Sequence, residues 1–308
     1  MLRGALGYSR DARSVLSCSM DLPSITTYLR PQQWDDLSSW QPDWAWLAGG
    51  TWLFSEPQPQ VRTLVDMQAL GWSELILDAT GLTIGATCTM RQLLNLSGTV
   101  GGQAPDPATW PGLQALQAAV RELASFKIHN QATIAGNLCL ALPASTFAPA
   151  CLVLRARYEI WPRQGSPYWL TADEFQQGAQ QTCLQPGDVL RRIHIPASAL
   201  AWETNYQRLC LADAGIALAI AVAAYDRASG QVSLGLGASF PAPRRLDFAA
   251  PPPWEQVQAD IQALPLDLFL EDAAASAVYR RQMTAVLAGR ALMALLREPP
   301  GEGGPGAP

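Results

Sequence analysis

The stretch GIALAIAVAAYDRASGQVSLGLGAS, residues 215 to 239, most restricts what this chain can fold into. Two apolar runs flank a polar, glycine-containing turn, which is the pattern of two β-strands joined by that turn. The longest wholly apolar run, residues 214 to 224, is far short of the ~20 residues that a membrane-spanning helix needs. No transmembrane segment is expected. With 308 residues, 49% of them hydrophobic and 15% charged, the chain can bury a sizeable core and has room for about two domains.

Other segments repeat the theme of short apolar runs stopped by small residues. WAWLAGG (44 to 50) reads as a buried strand entering a tight turn, and VRTLVDM and GLTIGAT as further strands. Thr89 with Gln92 three residues on forms a capping box that opens the short helix TMRQLLNL. PGLQALQAAVRELAS (111 to 125) places Leu113, Leu116, Val120 and Leu123 on one helical face, with Pro111 suited to the first turn. That stripe is read as core. CLVLRARYEIWP is expected to be a strand, TADEFQQG a capped short helix, and DVLRRIHIP an alternating strand with one wet face. A proline-rich connection from Pro241 to Pro253 leads to two C-terminal helices, the last being SAVYRRQMTAVLAGRALMALLRE.

The layout is therefore α+β, with expected divisions at 1–19 (disordered extension), 20–198 (mixed domain), 199–297 (smaller sheet-plus-helix domain) and 298–308 (flexible tail). A net charge of −5 without any basic block argues against nucleic acid as a partner. The six cysteines are scattered, with no C-x-x-C pair, and only two histidines are present. A zinc or iron–sulfur site built by this chain alone is not expected, and free thiols suit a reducing, cytoplasmic setting. His129 is read as a hydrogen-bonded structural residue and His194 as solvent-facing. No nucleophile, metal or paired-carboxylate constellation stands out, so no catalytic side chain is assigned.

Two glycine turns remain, LAGGTWLF (47 to 54) and ATIAGN (132 to 137). Neither is G-x-G-x-x-G nor G-x-x-x-x-G-K-[ST], which removes the Rossmann and P-loop readings. Each is a short apolar run meeting small residues beside a threonine. Glycine lets the backbone approach a ligand closely, and successive N–H groups at such turns form an anion-binding nest.

In order and about 80 residues apart, the two turns resemble those of the FAD-binding medium subunit of molybdenum hydroxylases, the xanthine dehydrogenase and carbon monoxide dehydrogenase family. The second stretch, KIHNQATIAGNLCLALPASTFAP, is similar to that family's N-x-A-T-I-G-G-N…A-S-P-x-x-D-x-x-P segment. LQPGDVLRRIHIP, NYQRLCLADAGIALAIAVAA, GASFPAPRR and SAVYRRQMTAVLAGRAL resemble its later segments in unbroken order, so the likeness covers roughly residues 21 to 296. It implies a PCMH-type FAD-binding domain of two subdomains, followed by a C-terminal α+β domain like that of the CO dehydrogenase flavoprotein.

The resemblance further implies that Leu47, Ala48, Gly49, Gly50, Thr51, Trp52 and Leu53, with Thr133, Ile134, Ala135, Gly136 and Asn137, wrap the FAD pyrophosphate and ribityl chain. Most of those contacts would come from backbone N–H groups, with directed bonds from Thr51, Thr133 and Asn137. Thr146 would stand where the family has an acidic residue, and Leu190 and Arg208 beside the isoalloxazine. A large molybdenum–pterin subunit and a small [2Fe–2S] subunit are the implied partners, in a heterotrimer that passes electrons through FAD to an external acceptor. Trp52, Ala135 and Thr146 depart from the family pattern, and Ala135 is expected to add a methyl where the turn should be bare. Those departures motivate an alternative, an FAD-poor scaffold subunit of the same kind of complex. A self-contained flavin oxidoreductase of the wider PCMH group is a further alternative, opposed by the C-terminal segments.

Overall fold

The structure is a computed structural model in which residues 22–96, 109–212 and 215–297 are described; the expected extension and tail lie outside them. Short apolar runs closed by glycine or proline give strands along most of this length. β1 (Thr27–Leu29), β2 (Trp44–Leu47) and β3 (Thr63–Asp66) form a small parallel sheet in the order β1-β3-β2. A five-stranded antiparallel sheet follows, built from β4 (Leu75–Asp78), β5 (Gly81–Gly85), β6 (Arg157–Trp161) and β7 (Tyr168–Thr171). After the ribbon of β8 (Gln176–Gly178) and β9 (Gln181–Thr182), β10 (Val189–Pro196) enters its centre, giving the order β4-β5-β10-β6-β7. β11 (Glu203–Cys210), β12 (Ala217–Tyr225), β13 (Val232–Gly237) and β14 (Arg244–Phe248) form a four-stranded meander.

The helices α1 (Met90–Leu94), α2 (Leu113–Arg121), α3 (Phe126–His129), α4 (Ile134–Leu140) and α5 (Phe147–Val153) fall between β5 and β6. α6 (Ala172–Phe175) and α7 (Ala197–Leu200) are single turns, while α8 (Trp254–Gln262) and α9 (Ala277–Leu296) close the chain. None of the helices among the described residues is long and apolar enough to cross a membrane. β12 shows why its run is apolar throughout. Ile220, Val222 and Ala224 enter a core shared with Leu82, Ile84 and Ile193 of the five-stranded sheet and with Leu116 and Phe147 of α2 and α5. Ala219, Ala221 and Ala223 point the other way, to a second core under α9 that includes Leu287, Ala291 and Leu292. The period-2 alternation is present, but both faces are buried.

Local chemistry sets several boundaries. Thr89 and Gln92 form the expected capping box of α1, and Thr171 with Glu174 forms another at α6. α2 ends at Arg121 because the chain turns at Ala124, whose φ is 47°, so Leu123 is only half-buried beyond the helix. Two expectations need correction. CLVLRARYEIWP is not one strand: Cys151–Val153 finish α5, Arg155 turns the chain at φ 53°, and β6 starts only at Arg157. A short apolar run fits a buried helix as well as a strand. The connection from Pro241 to Pro253 is not bare either, since it contains β14 paired to β13.

Six tryptophans help clamp the small parallel sheet to the five-stranded one. Trp34 stacks on Trp46 at 5.9 Å and meets Trp72 and Trp161, and Trp40 lies 4.6 Å from Trp46 and 5.6 Å from Trp44. Arg163 sits 4.2 Å over Trp34 and Arg191 sits 4.6 Å over Trp72, contacts that cation–π attraction favours. Arg191 and Arg192 both reach Glu74, at 2.5 and 3.0 Å. Burial works against the Glu74 carboxylate, but its hydrogen bonds, including those from the two arginines, prevail and hold it below its ordinary 4.5. A carboxylate depressed in the folded state stabilises the fold fully above its unfolded value and less as pH falls through its folded value. The melting temperature should therefore fall on acidification below about pH 4.5, and Glu74→Gln should flatten that dependence in a series of thermal melts. A wild-type-like acid slope in the variant would refute this assignment.

Candidate functional site

The stacked Trp46 and its indole hydrogen bond to Gly187 O (3.1 Å) fix β2 immediately before its glycine turn. Leu47 O accepts from Met67 N at 2.9 Å, Ala48 O from Gln68 Nε2 at 3.1 Å, and Gly50 O from Phe54 N at 2.9 Å. The carbonyls are thus used internally. The N–H groups of Gly49, Gly50, Thr51 and Trp52 donate no hydrogen bond among the described residues. Consecutive free donors are what an oxyanion-binding turn requires. Gly50 takes φ 69°, the left-handed region where glycine alone is unstrained.

The second turn lies directly against the first. A Cβ on Gly49 would overlap the Gln131 carbonyl oxygen and come within 2.8 Å of the Gln131 carbonyl carbon. Thr133 then caps α4, its hydroxyl accepting from Gly136 N at 3.0 Å. Its acceptor role is taken by the cap, which narrows the part expected of this hydroxyl toward a ligand. The expectation for Ala135 is corrected: the residue is 4% exposed and packs in the main core. The first glycine of the family pattern is replaceable here because its Cβ points inward.

Asn137, on α4, ties this turn to the start of α5. Ser145 Oγ donates to Asn137 Oδ1 at 2.7 Å, which leaves the Asn137 amide N–H groups for another acceptor. Thr146 is 4% exposed, and its Oγ1 is a buried polar atom with no hydrogen-bond partner. An orphaned hydroxyl costs about 1–3 kcal/mol, so its retention beside the two turns points to a group that completes it. Tyr206 from β11 donates to Thr146 O at 3.0 Å, and burial pushes its phenol well up, keeping it a neutral donor.

The remaining expected residues are placed as follows. Leu190 is buried in the main core next to Cys139 of α4, so its side chain serves packing. Arg208 is on the same strand as Tyr206, two residues on, with Nη1 3.3 Å from Glu122 Oε2 and Nη2 donating to Gly215 O. Leu53 and Thr51 are half-buried, while Trp52 and Phe54 stand exposed at the rim of the first turn. His129 is buried and bonded to Leu123 O, a structural histidine. Burial pushes Cys88, Cys139 and Cys151 up to about 12, so these thiols stay protonated and inert at neutral pH. Gln131, Ser145 and Tyr206 were not singled out from sequence. All three lie in stretches that carried the resemblance, but their roles depend on contacts between turns far apart along the chain.

The residues fit an FAD. Free turn amides suit its phosphates, the bare Gly49 allows the two turns to meet, and the Thr146 hydroxyl lacks a partner. Residues 23–198 match the family described as the FAD binding domain in molybdopterin dehydrogenase. Aldehyde oxidase 2 of Cavia porcellus is 32% identical over 123 residues, which are 40% of this chain but only 9% of that protein. The protein named as the xanthine dehydrogenase FAD-binding subunit XdhB of Escherichia coli (strain K12) is 26% identical over 215 residues, covering 66% of this chain and 69% of that one. In fold, the chain is similar to a chain of carbon monoxide dehydrogenase from Hydrogenophaga pseudoflava, with a TM-score of 0.72 at 20% identity over 88% of this chain and 96% of that one. With more than half of its length matched, this α+β chain belongs to the FAD-binding domain family of the molybdopterin dehydrogenases, a family of oxidoreductases.

Proposed function

We propose that this chain is the FAD-carrying electron-transfer subunit of a molybdenum–pterin hydroxylase, taking electrons from [2Fe–2S] clusters on a small partner and passing them to an external acceptor. Substrate oxidation then belongs to a large molybdenum–pterin partner. The four unbonded amides of Gly49–Trp52, pressed against Gln131 at the start of the second turn, are the observation that carries this reading. Residues 20–198 supply both turns, and residues 199–297 supply Tyr206 and Arg208. Bound FAD supplies two-electron redox chemistry, and the protein binds, orients and shields it. The turn amides hold phosphate, Asn137 and Thr146 direct polar atoms, and the side chain of Leu190 supports α4 from the core. The scaffold alternative loses one of its motives, because Ala135 adds nothing to the turn.

Thr146 gives a test with effects of opposite sign. Thr146→Val removes a buried hydroxyl that has no partner in the protein. The FAD-free variant should be more stable than wild type by about 1 kcal/mol, while its FAD dissociation constant should rise several-fold. Thermal melts of stripped protein and FAD titration read the two effects separately. Unchanged FAD affinity removes Thr146 from the site. The complete complex should also release one FAD per copy of this chain on denaturation, and a colourless subunit in an active complex would establish the scaffold alternative.

A further inference from the structure

The outer face of the five-stranded sheet carries a second collection of polar groups, separate from the glycine turns. Thr83, His194 and Arg157 lie side by side on β5, β10 and β6, and Arg192 faces Glu159, which in turn faces Trp169 on β7. Five of these side chains, Thr83, Arg157, Trp169, Arg192 and His194, line a groove of about 260 Å³. Inward-pointing neighbours such as Leu82, Tyr158 and Ile193 are core, so the strand alternation puts this entire row on the wet side.

The donors here outnumber their acceptors. Arg192 is engaged by Glu74 at 3.0 Å and Glu159 at 3.3 Å. Arg157 is different: its guanidinium carbon lies 5.7 Å from the Trp169 ring centroid, and among the described residues it makes no ion pair and no side-chain hydrogen bond. His194 Nδ1 is 3.2 Å from Thr83 Oγ1. With that hydroxyl donating, the neutral ring carries its hydrogen on Nε2, a second unused donor. The Trp169 ring stands edge-on to His194, centroids 6.4 Å apart, and forms an apolar wall. On a chain of net charge −5, an unpaired guanidinium beside an imidazole N–H and an indole is complementary to an oxyanion on a small body.

We propose that this groove binds a small-molecule oxyanion, a carboxylate or phosphate, with Arg157 as its principal ligand, His194 Nε2 as a second donor and Trp169 as the wall for its apolar part. The groove is smaller than the ~300–1,000 Å³ of ordinary ligand pockets, so it takes a compact molecule. This site is independent of the FAD reading, because it shares no residue with the glycine turns.

Calorimetric titration of the FAD-loaded chain with inorganic phosphate, and separately with benzoate, tests the proposal at fixed ionic strength so that screening is constant. Saturable binding of at least one probe is expected, and Arg157→Gln should lower that affinity tenfold or more while flavin content and melting temperature stay as in wild type. Arg157→Lys should keep part of the affinity, since it retains the charge and loses the fork. Phosphate alone binding assigns a phosphate ester, and benzoate alone an aromatic carboxylate. The absence of saturable heat from both probes, or equal affinity in Arg157→Gln, overturns the site. Binding to the chain that vanishes in the assembled complex also overturns it, by assigning the groove to an acidic side chain of a partner.

Discussion

Replacing Gly49 with alanine is expected to cost the protein at least tenfold in FAD affinity, the largest loss of any single methyl in the site. The added Cβ would overlap the carbonyl oxygen of Gln131, a backbone atom that cannot rotate away, so the two turns must separate. Overpacking of this kind costs about 1–3 kcal/mol, with the upper end appropriate where backbone must move. The separation also displaces the four free amides of the first turn relative to α4. Gly50→Ala provides the contrast. Its Cβ would meet side-chain carbons of Phe54 and Leu47 at 2.8 to 2.9 Å, which can shift, and the main penalty is its φ of 69°. Gly71 has the same φ of 69° with nothing within 4 Å, so Gly71→Ala isolates the cost of the backbone conformation alone. FAD affinity should fall in the order Gly71→Ala, Gly50→Ala, Gly49→Ala, measured by titrating FAD into stripped protein. If Gly49→Ala binds FAD as tightly as wild type, the first turn is an ordinary turn and the site assignment fails.

Those turns were legible because glycine speaks locally. Trp44–Leu47 followed by Gly49 and Gly50 could be read as a strand and a turn from their own residues, as could the β12–β13 pair and the capping box at Thr89. The wrong readings share one cause. CLV in α5 and RRLDF in β14 take their conformations from what they pack against. α5 lies so close to β13 that a Cβ on Gly235 or Gly237 would collide with Pro149, and β14 exists by pairing with β13. The site divides in the same way. The glycines and threonines could be named from sequence, but the direction of the Ala135 methyl, the orphaned Thr146 hydroxyl and the Tyr206 contact arise from tertiary packing.

The motif SAVYRRQ shows what a resemblance can indicate without explaining. Arg280 within it is 3% exposed. Its Nη1 donates to Leu218 O at 2.8 Å and to Ala238 O at 3.1 Å, and its Nη2 reaches Asp272 Oδ2 at 2.7 Å. One guanidinium thus ties α9 to β12 and to the turn after β13. Ser239 and Thr284 continue the polar seam, with Thr284 Oγ1 donating to Arg280 O and Ser239 Oγ donating to Leu218 O. Arg280→Met keeps an unbranched chain in the space but strands Ala238 O in the interior and leaves Leu218 O with the Ser239 hydroxyl as its side-chain donor. Asp272 is half-exposed and can turn to water, so the loss is below that of a fully buried broken pair. A cost of about 3 kcal/mol follows, which for a chain of this size is a fall of roughly 6–12 °C in melting temperature. Arg280→Lys should fall between, since one ammonium cannot serve three acceptors in a planar fork. FAD affinity should change less than about twofold, as the contacts lie under α9 rather than at the turns. A melting temperature within about 2 °C of wild type in Arg280→Met would show that the seam contributes little and that packing of Leu287, Ala291 and Leu292 alone holds α9 on its sheet.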